Sequence, residues 1–295
     1  MKWWIYQRER FPLLAHGPLI LAFSSCAVSY VALLMDRGIP SWTSYAVAFV
    51  VCLVFFLQLR IADEFKDRED DARWRPYRPV PRGLIRLAEL RVVFVIGAVL
   101  QAGLAYALSP ALLWVLLLGW VYLALMSVEF FCRDWLKARP VIYLLTHMGI
   151  MPLVDLFATA CVWSLNHGTM PEGLSWFLAA SFCNGVVIEI GRKLRQPAQE
   201  EEGVETYSAL WGKRRAVVTW LMAMAATLFC AWNAGRAIGF DLPIALSLGL
   251  LMAGSLILAK NYTLTSMKGS HLEKMSALWT LVLYLTLGII PLLNR

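Results

Sequence analysis

The chain has 295 residues, of which 59% are hydrophobic and only 16% charged. That balance excludes an ordinary soluble domain, in which about a quarter of residues are charged. The net charge of +7 calls for no nucleic-acid partner, because basic loops facing anionic lipid headgroups account for it.

Residues 1–11 hold Lys2, Arg8 and Arg10 among Trp and Tyr residues, the composition of an interfacial anchor. No small-x-small cleavage site follows the first apolar run, so that run is read as a membrane span and not as a removed signal. Nine spans are expected, at about 17–35, 42–60, 91–108, 110–128, 140–163, 174–191, 215–233, 242–259 and 275–292. Each approaches the ~20 apolar residues that cross a hydrocarbon core of ~30 Å. The fold class is therefore all-α: a polytopic bundle of nine transmembrane helices in one domain over residues 1–295, with two long charged loops. Lys and Arg gather in residues 1–11 and in the 60–90, 132–139, 192–215 and 260–274 loops. Asp36-Arg37, Ser109 and the 164–173 and 234–241 loops are poor in them. The positive-inside rule puts the amino terminus and the motif loops in the cytoplasm and the carboxyl terminus outside, as in a bacterial cytoplasmic membrane. The six cysteines are scattered without a CxxC pair, which argues against a zinc or redox motif.

The densest chemistry follows the second span. Residues 60–71 hold four Asp and two Glu, and Asp63, Asp67 and Asp71 recur at i, i+4 and i+8. Each four-residue step of an α-helix turns about 400°, so the three carboxylates share a face with about 40° drift per step. Two readings stand: a hard cation such as Mg²⁺ carrying a phosphate, or a solvated helix end with ion pairs such as Lys66 with Asp70.

The second long loop follows the sixth span. It offers Glu189, then Arg192, Lys193 and Arg195, then Glu200, Glu201 and Glu202, and ends through Tyr207 at Gly212. An offset of 129 residues pairs Arg60 with Glu189, Asp63 with Arg192, Asp71 with Glu200 and Gly83 with Gly212. This suggests an internal duplication of about 1–130 and 131–260 plus a ninth helix. An acidic loop facing a basic one suits a metal-bound diphosphate, with carboxylates on the metal and Arg and Lys on the remaining oxygens. A solvated loop with internal ion pairs is the plain alternative for residues 200–202. Glu189, at the end of an apolar span, is costly there without a partner.

Asp67-x-x-x-Asp71 with its tail Arg75-Pro76-Tyr77-Arg78-Pro79-Val80-Pro81-Arg82-Gly83, together with Gly203-Val204-Glu205-Thr206-Tyr207-Ser208 before Gly212-Lys213-Arg214-Arg215, resembles the two motif windows of the UbiA-type intramembrane prenyltransferases. The resemblance covers the chain in layout. Two features depart from it: Asp63 stands where the family usually has Asn, and the second motif has Glu189, Arg192 and Lys193 in place of two or three Asp.

The resemblance implies an Mg²⁺-dependent enzyme that ionises an isoprenyl diphosphate donor and transfers the prenyl group to a small-molecule or lipid acceptor. It implies Asp63, Asp67 and Asp71 as metal ligands and catalytic carboxylates. Glu189 and one of Glu200–202, Glu200 foremost, hold a second ion if there is one. Arg192 and Lys193 are the catalytic cations. The diphosphate falls to these two with Lys66, Arg75, Arg78, Arg195 and Tyr207. Polar residues within the spans, Asn184, His147, Asp155 and Tyr143, form the acceptor or cation pocket, with a His147–Asp155 pairing as one arrangement. A UbiA-type terpene cyclase shares the ionisation and quenches it internally. A transporter using the acidic cluster is the reading from another class, disfavoured because the charges gather at the mouth and not at midspan.

Overall fold

The computed structural model describes residues 1–165 and 168–294; Asn166 and His167 of the 164–173 loop, and Arg295, lie outside them. Among the described residues there is no strand. The helices are α1 (Lys2–Arg10), α2 (Leu13–Leu34), α3 (Trp42–Lys66), α4 (Arg68–Trp74), α5 (Leu87–Leu108), α6 (Leu112–Ser127), α7 (Arg133–Lys137) and α8 (Pro140–Met148). They continue as α9 (Ile150–Trp163), α10 (Leu174–Arg192), α11 (Tyr207–Trp211), α12 (Lys213–Ala237), α13 (Asp241–Leu264), α14 (Ser270–Leu287) and α15 (Ile289–Leu293).

Eight of the nine expected spans are long and apolar enough to cross a membrane, with α8–α9 and α14–α15 each counting as one. The ninth, α6, has 16 residues, short of the ~20 that cross a bilayer unaided. α5 and α13 present Val92, Val95, Ile96 and Val99, and Leu242, Leu246 and Leu250, outward. In a soluble protein such apolar faces would be unstable in water; here they form a lipid-facing belt. The packed interior is built from α2, α3, α9, α10, α12 and α14, centred on Tyr30, Phe177, Trp220 and Trp279.

Sequence chemistry sets two breaks that shape the site. The expected continuous 140–163 helix divides at Gly149. Pro152 lacks the N–H that would bond the Met148 carbonyl, and its ring crowds that carbonyl. The Tyr122 hydroxyl donates to the Thr146 carbonyl at 2.6 Å just before the break. The second break is a bend at Asp67, which links α3 to α4 with φ −93° and ψ 13°. The 63–67 and 67–71 backbone hydrogen bonds survive it, both at 2.8 Å.

Candidate active site at the charged mouth

The cation-rich segments meet at one end of the bundle. Arg10 pairs with Glu64, Lys66 with Glu129 at 2.9 Å, and Lys213 donates to Gln196 at 2.7 Å. Gln196 in turn donates to the Tyr262 and Met267 carbonyls at 3.1 and 2.7 Å. The two long loops touch directly: Gly203 lies against the Trp74 indole, so that a Cβ there would stand 2.3 Å from the ring. Gly203 also has φ +73°, a region that costs an L-residue about 1–2 kcal/mol. Gly203→Ala is therefore expected to lower the thermal midpoint through backbone strain and the clash with Trp74. An unchanged midpoint in detergent would refute that packing.

The three predicted carboxylates do not share one environment. Asp71 is 2% exposed and turned into arginines: Arg75 donates at 2.8 Å and Arg78 at 2.7 and 2.6 Å, and Arg10 lies 4.0 Å away. Asp63 is half exposed and paired with Arg60 at 3.3 Å. Asp67 lies between them and, among the described residues, has no side-chain hydrogen bond or ion pair. Burial and the Asp63 charge hold its carboxyl above the usual carboxylate range; Asp71 adds to this, and Lys66 and Arg75 oppose it. The expectation of one open three-carboxylate face fails because the chain bends at Asp67 and the arginine-rich tail folds back on Asp71. Among the described residues no three His, Cys, Asp or Glu converge on one point. The Lys66–Asp70 pairing is also absent from the ion pairs Lys66 makes.

Lys66 is instead committed to a buried cluster. Its ammonium donates to the Tyr143 hydroxyl at 2.6 Å, stands 2.9 Å from Glu129 Oε1 and lies 3.2 Å from His147 Nε2. Glu129 is 3% exposed, accepts from the Tyr143 hydroxyl at 3.1 Å and has Oε2 3.2 Å from His147 Nε2. Burial alone would raise its carboxyl, but hydrogen bonds from His147 and Lys66 outweigh this and lower it to about 2. The Glu129–Phe131 turn is left-handed, with φ 52°, 51° and 60° at three successive non-glycine residues. Such a turn costs about 1–3 kcal/mol per residue and persists only when its surroundings hold it. The ion pairs of Glu129 and the rings of Tyr122 and His147 around Phe130 do so. Sequence reading missed Glu129; its signal was a single carboxylate directly after the fourth apolar run. It likewise missed Glu64, 2% exposed within the third helix.

In the second loop, Glu189 pairs with Arg192 at 2.5 Å and Lys193 at 3.0 Å. Glu200 accepts from the Thr206 hydroxyl at 2.8 and 2.7 Å, and Arg195 pairs with Glu201 at 2.9 Å. The expected second-ion ligands Glu189 and Glu200 are thus each occupied within their own segment, because helical i+3 and i+4 spacing brings Arg192 and Lys193 onto Glu189 first. Arg192 lies within electrostatic reach of Asp63 and Tyr207. Tyr207, under the Lys193 ammonium at 5.6 Å, has its hydroxyl raised by burial and by Glu189. Arg192, Arg195, Glu200 and Glu201 line an open cleft of about 500 Å³ with Ser270 and Glu273 of α14.

The expected pocket residues separate into two depths. Tyr143 and His147 join Lys66 at the mouth. Asp155 and Asn184 are fully buried and belong to another group. The Tyr284 hydroxyl donates to Asp155 Oδ2 at 2.7 Å and the Thr280 hydroxyl to Asn184 Oδ1 at 3.0 Å. The His147–Asp155 pairing is therefore replaced on both sides, because the Gly149 break aims His147 at Lys66.

An all-helical bundle with lipid-length apolar helices and an acidic and basic mouth defines an integral membrane protein. The UbiA prenyltransferase family model matches residues 22–281, and the chain belongs to that family, which makes it a prenyltransferase at the family level. Similar solved structures include an apo UbiA homologue from Aeropyrum pernix K1, with TM-score 0.68 and 15% identity, covering 92% of this chain and 95% of that one. A UbiA homologue from Archaeoglobus fulgidus bound to DMAPP and Mg²⁺ has TM-score 0.58 and 14% identity, covering 96% and 98%. Digeranylgeranylglyceryl phosphate synthase has TM-score 0.60 and 15% identity, covering 100% and 99%. At these identities the likeness establishes the fold. No curated protein matches the sequence.

Proposed function

We propose that the chain is an Mg²⁺-dependent intramembrane prenyltransferase. It ionises an allylic isoprenyl diphosphate at the charged mouth, passes the prenyl group to a small-molecule or lipid acceptor and releases diphosphate. The observation that carries this reading is Asp67, a largely desolvated carboxylate without a bonding partner, flanked by Asp63 and Asp71. A carboxylate in that state gains from a cation. Mg²⁺ takes one or two carboxylates and completes its octahedron with water and phosphate oxygens. A turn offering Asp67 and Asp63, without a third converging carboxylate, fits an ion that arrives with its diphosphate. The Archaeoglobus fulgidus homologue, bound to DMAPP or GPP with Mg²⁺, supports the same assignment.

When bound, Mg²⁺ supplies Lewis-acid stabilisation of charge on the diphosphate oxygens. Asp67 and Asp63 are the residues that would hold it. Asp71 fixes Arg75 and Arg78, each through one guanidinium nitrogen, which leaves further N–H groups for phosphate oxygens. Arg192, Lys193 and Arg195 supply positive charge from the opposite loop. As the allylic C–O bond breaks, its electron pair leaves with the diphosphate, and these cations stabilise the growing charge. Lys66 holds Tyr143 and His147, and Tyr143 lies within electrostatic reach of Asp67. The Tyr207 ring, 5.6 Å from the Lys193 ammonium, offers a face that favours a cation, whereas the Tyr143 ring is stacked on His147 at 3.9 Å and takes the Lys66 ammonium at its hydroxyl. Asp155 Oδ1 and Asn184 Nδ2, both without a hydrogen-bond partner among the described residues, are the polar groups assigned to the acceptor side. The Lys and Arg excess of the mouth supports a cytoplasmic orientation for it.

The test is diphosphate release by the purified protein in nanodiscs, with allylic diphosphates of several chain lengths and Mg²⁺, and mass spectrometry of the organic extract. Metal-dependent release that yields a prenylated acceptor is expected. A cyclised hydrocarbon formed without acceptor would reassign the protein as a cyclase, and no release at any chain length would overturn the reading.

A further inference from the structure

The α1 helix lies outside residues 22–281, the part of the chain that the family model matches, and its composition is that of a lipid anchor. In the structure only part of it behaves so: Trp3 and Trp4 are exposed, while Tyr6 is buried in a small separate core with Ile61, Ile85 and Leu90. Its charges pair with the first motif, with its tail and with the start of α5. Lys2 pairs with Glu89, Glu9 with Arg82 at 3.0 Å, and Arg10 with Glu64 and Asp71.

Arg10 carries the argument. Its side chain is 9% exposed. Its Nε donates to Glu64 Oε1, and its terminal nitrogen lies 4.0 Å from Asp71 Oδ2. Glu64 lies before the bend at Asp67 and Asp71 after it, so a single guanidinium ties the two sides of that bend together. Among the described residues Glu64 has no other ion-pair partner, whereas Asp71 keeps Arg75 and Arg78. The planar fork of Arg reaches two carboxylates at once, which the point charge of Lys does not.

We propose that Arg10 is a positioning residue of the donor site: by stapling Glu64 to Asp71 it sets the bend that presents Asp67 and Asp63, so α1 is part of the site. This rests on the diphosphate reading above. Arg10 touches neither donor nor metal; it acts through the shape of the bend, and small misplacements at such a site cost large factors in rate or binding.

The full chain in nanodiscs is compared as wild type, Arg10→Ala, Arg10→Lys, Arg10→Ala with Glu64→Gln, and Trp4→Ser. The readouts are donor KM, half-saturating Mg²⁺, kcat and thermal midpoint. Arg10→Ala is expected to raise both donor KM and half-saturating Mg²⁺ by at least about tenfold, with a smaller change in kcat, and to lower the midpoint. Adding Glu64→Gln removes the unpaired buried charge, so the midpoint recovers while KM stays raised. A merely structural Arg10 would see both recover. Arg10→Lys is expected to keep most of the midpoint and still raise KM, and Trp4→Ser to leave KM unchanged. If Arg10→Ala does not fold, the Lys and double variants decide. Wild-type KM in both would overturn the proposal and leave α1 a lipid anchor. No donor turnover in the wild type would instead remove the diphosphate reading itself, so the two failures are distinct.

Discussion

Asp67→Asn is expected to abolish metal-dependent diphosphate release and, at neutral pH, to raise the thermal midpoint of the fold. Loss of a preorganised group that stabilises developing charge costs about 100- to 1,000-fold in rate, and of Asp63, Asp67 and Asp71 only Asp67 has no side-chain partner among the described residues. The stability half follows from its titration. Burial and the Asp63 and Asp71 charges hold the Asp67 carboxyl above the usual range in the folded state. A raised folded value means that the folded chain gains from protonation. The gain is complete at low pH and is lost as pH rises through the folded value, so ionised Asp67 is a cost to the neutral fold that Asn removes. For the same reason, wild-type activity at subsaturating Mg²⁺, where protons and metal compete for Asp67, should begin to fall on acidification at a higher pH than an ordinary carboxylate would impose. Thermal unfolding and the pH–rate profile, measured on wild type and Asp67→Asn, decide this. An inactive variant that is also less stable would show that the Asp67 carboxylate has a structural partner in the fold.

Glu129→Ala is expected to be the most destabilising single change at the mouth. Glu129 is the anion on which Lys66 and His147 close, and removing one member of a buried pair costs about 3–5 kcal/mol, because it leaves the other charge without a partner. The left-handed Glu129–Phe131 turn also loses the ion pairs that hold it. The charge alone can be isolated with Glu129→Gln, which keeps the shape. In the wild type the carboxyl is lowered from 4.5 to about 2, so its contribution to stability is intact above pH 4.5 and is lost as pH falls towards 2. An acid titration of stability in detergent should show that decline in the wild type and not in Glu129→Gln. Matching acid profiles would mean that Glu129 is not the anchor of Lys66.

Both positions show how the motif residues divide their work. Asp67 is left without a side-chain partner among the described residues and Asp63 is held by Arg60 alone, while Asp71, which the same spacing marks as their equal, is consumed by neighbours, as are Lys66 and Glu189. The result is one carboxylate turn flanked by cations that are already oriented. That arrangement suits a ligand bringing its own negative charge and metal, and it is consistent with a second motif whose Asp residues are replaced by Glu189, Arg192 and Lys193.

The sequence by itself determined the membrane class, the apolar helices and the family, because the burial of ~20-residue apolar runs and the charges at their ends are local properties of the chain. It also marked Asp67 through a four-residue spacing that a helix turns into a shared face. Only the tertiary structure decided which charges stay free. The reach of Arg10 into Glu64 and Asp71 crosses more than fifty residues, and the pairing of Lys66 with Glu129 crosses a similar distance and depends on a left-handed turn that no local pattern announces. The split of the 140–163 run also redirected His147 to Lys66 and left Asp155 to Tyr284. Partner choice among buried charges is set by which helices pack together, and in this chain those helices are far apart in sequence.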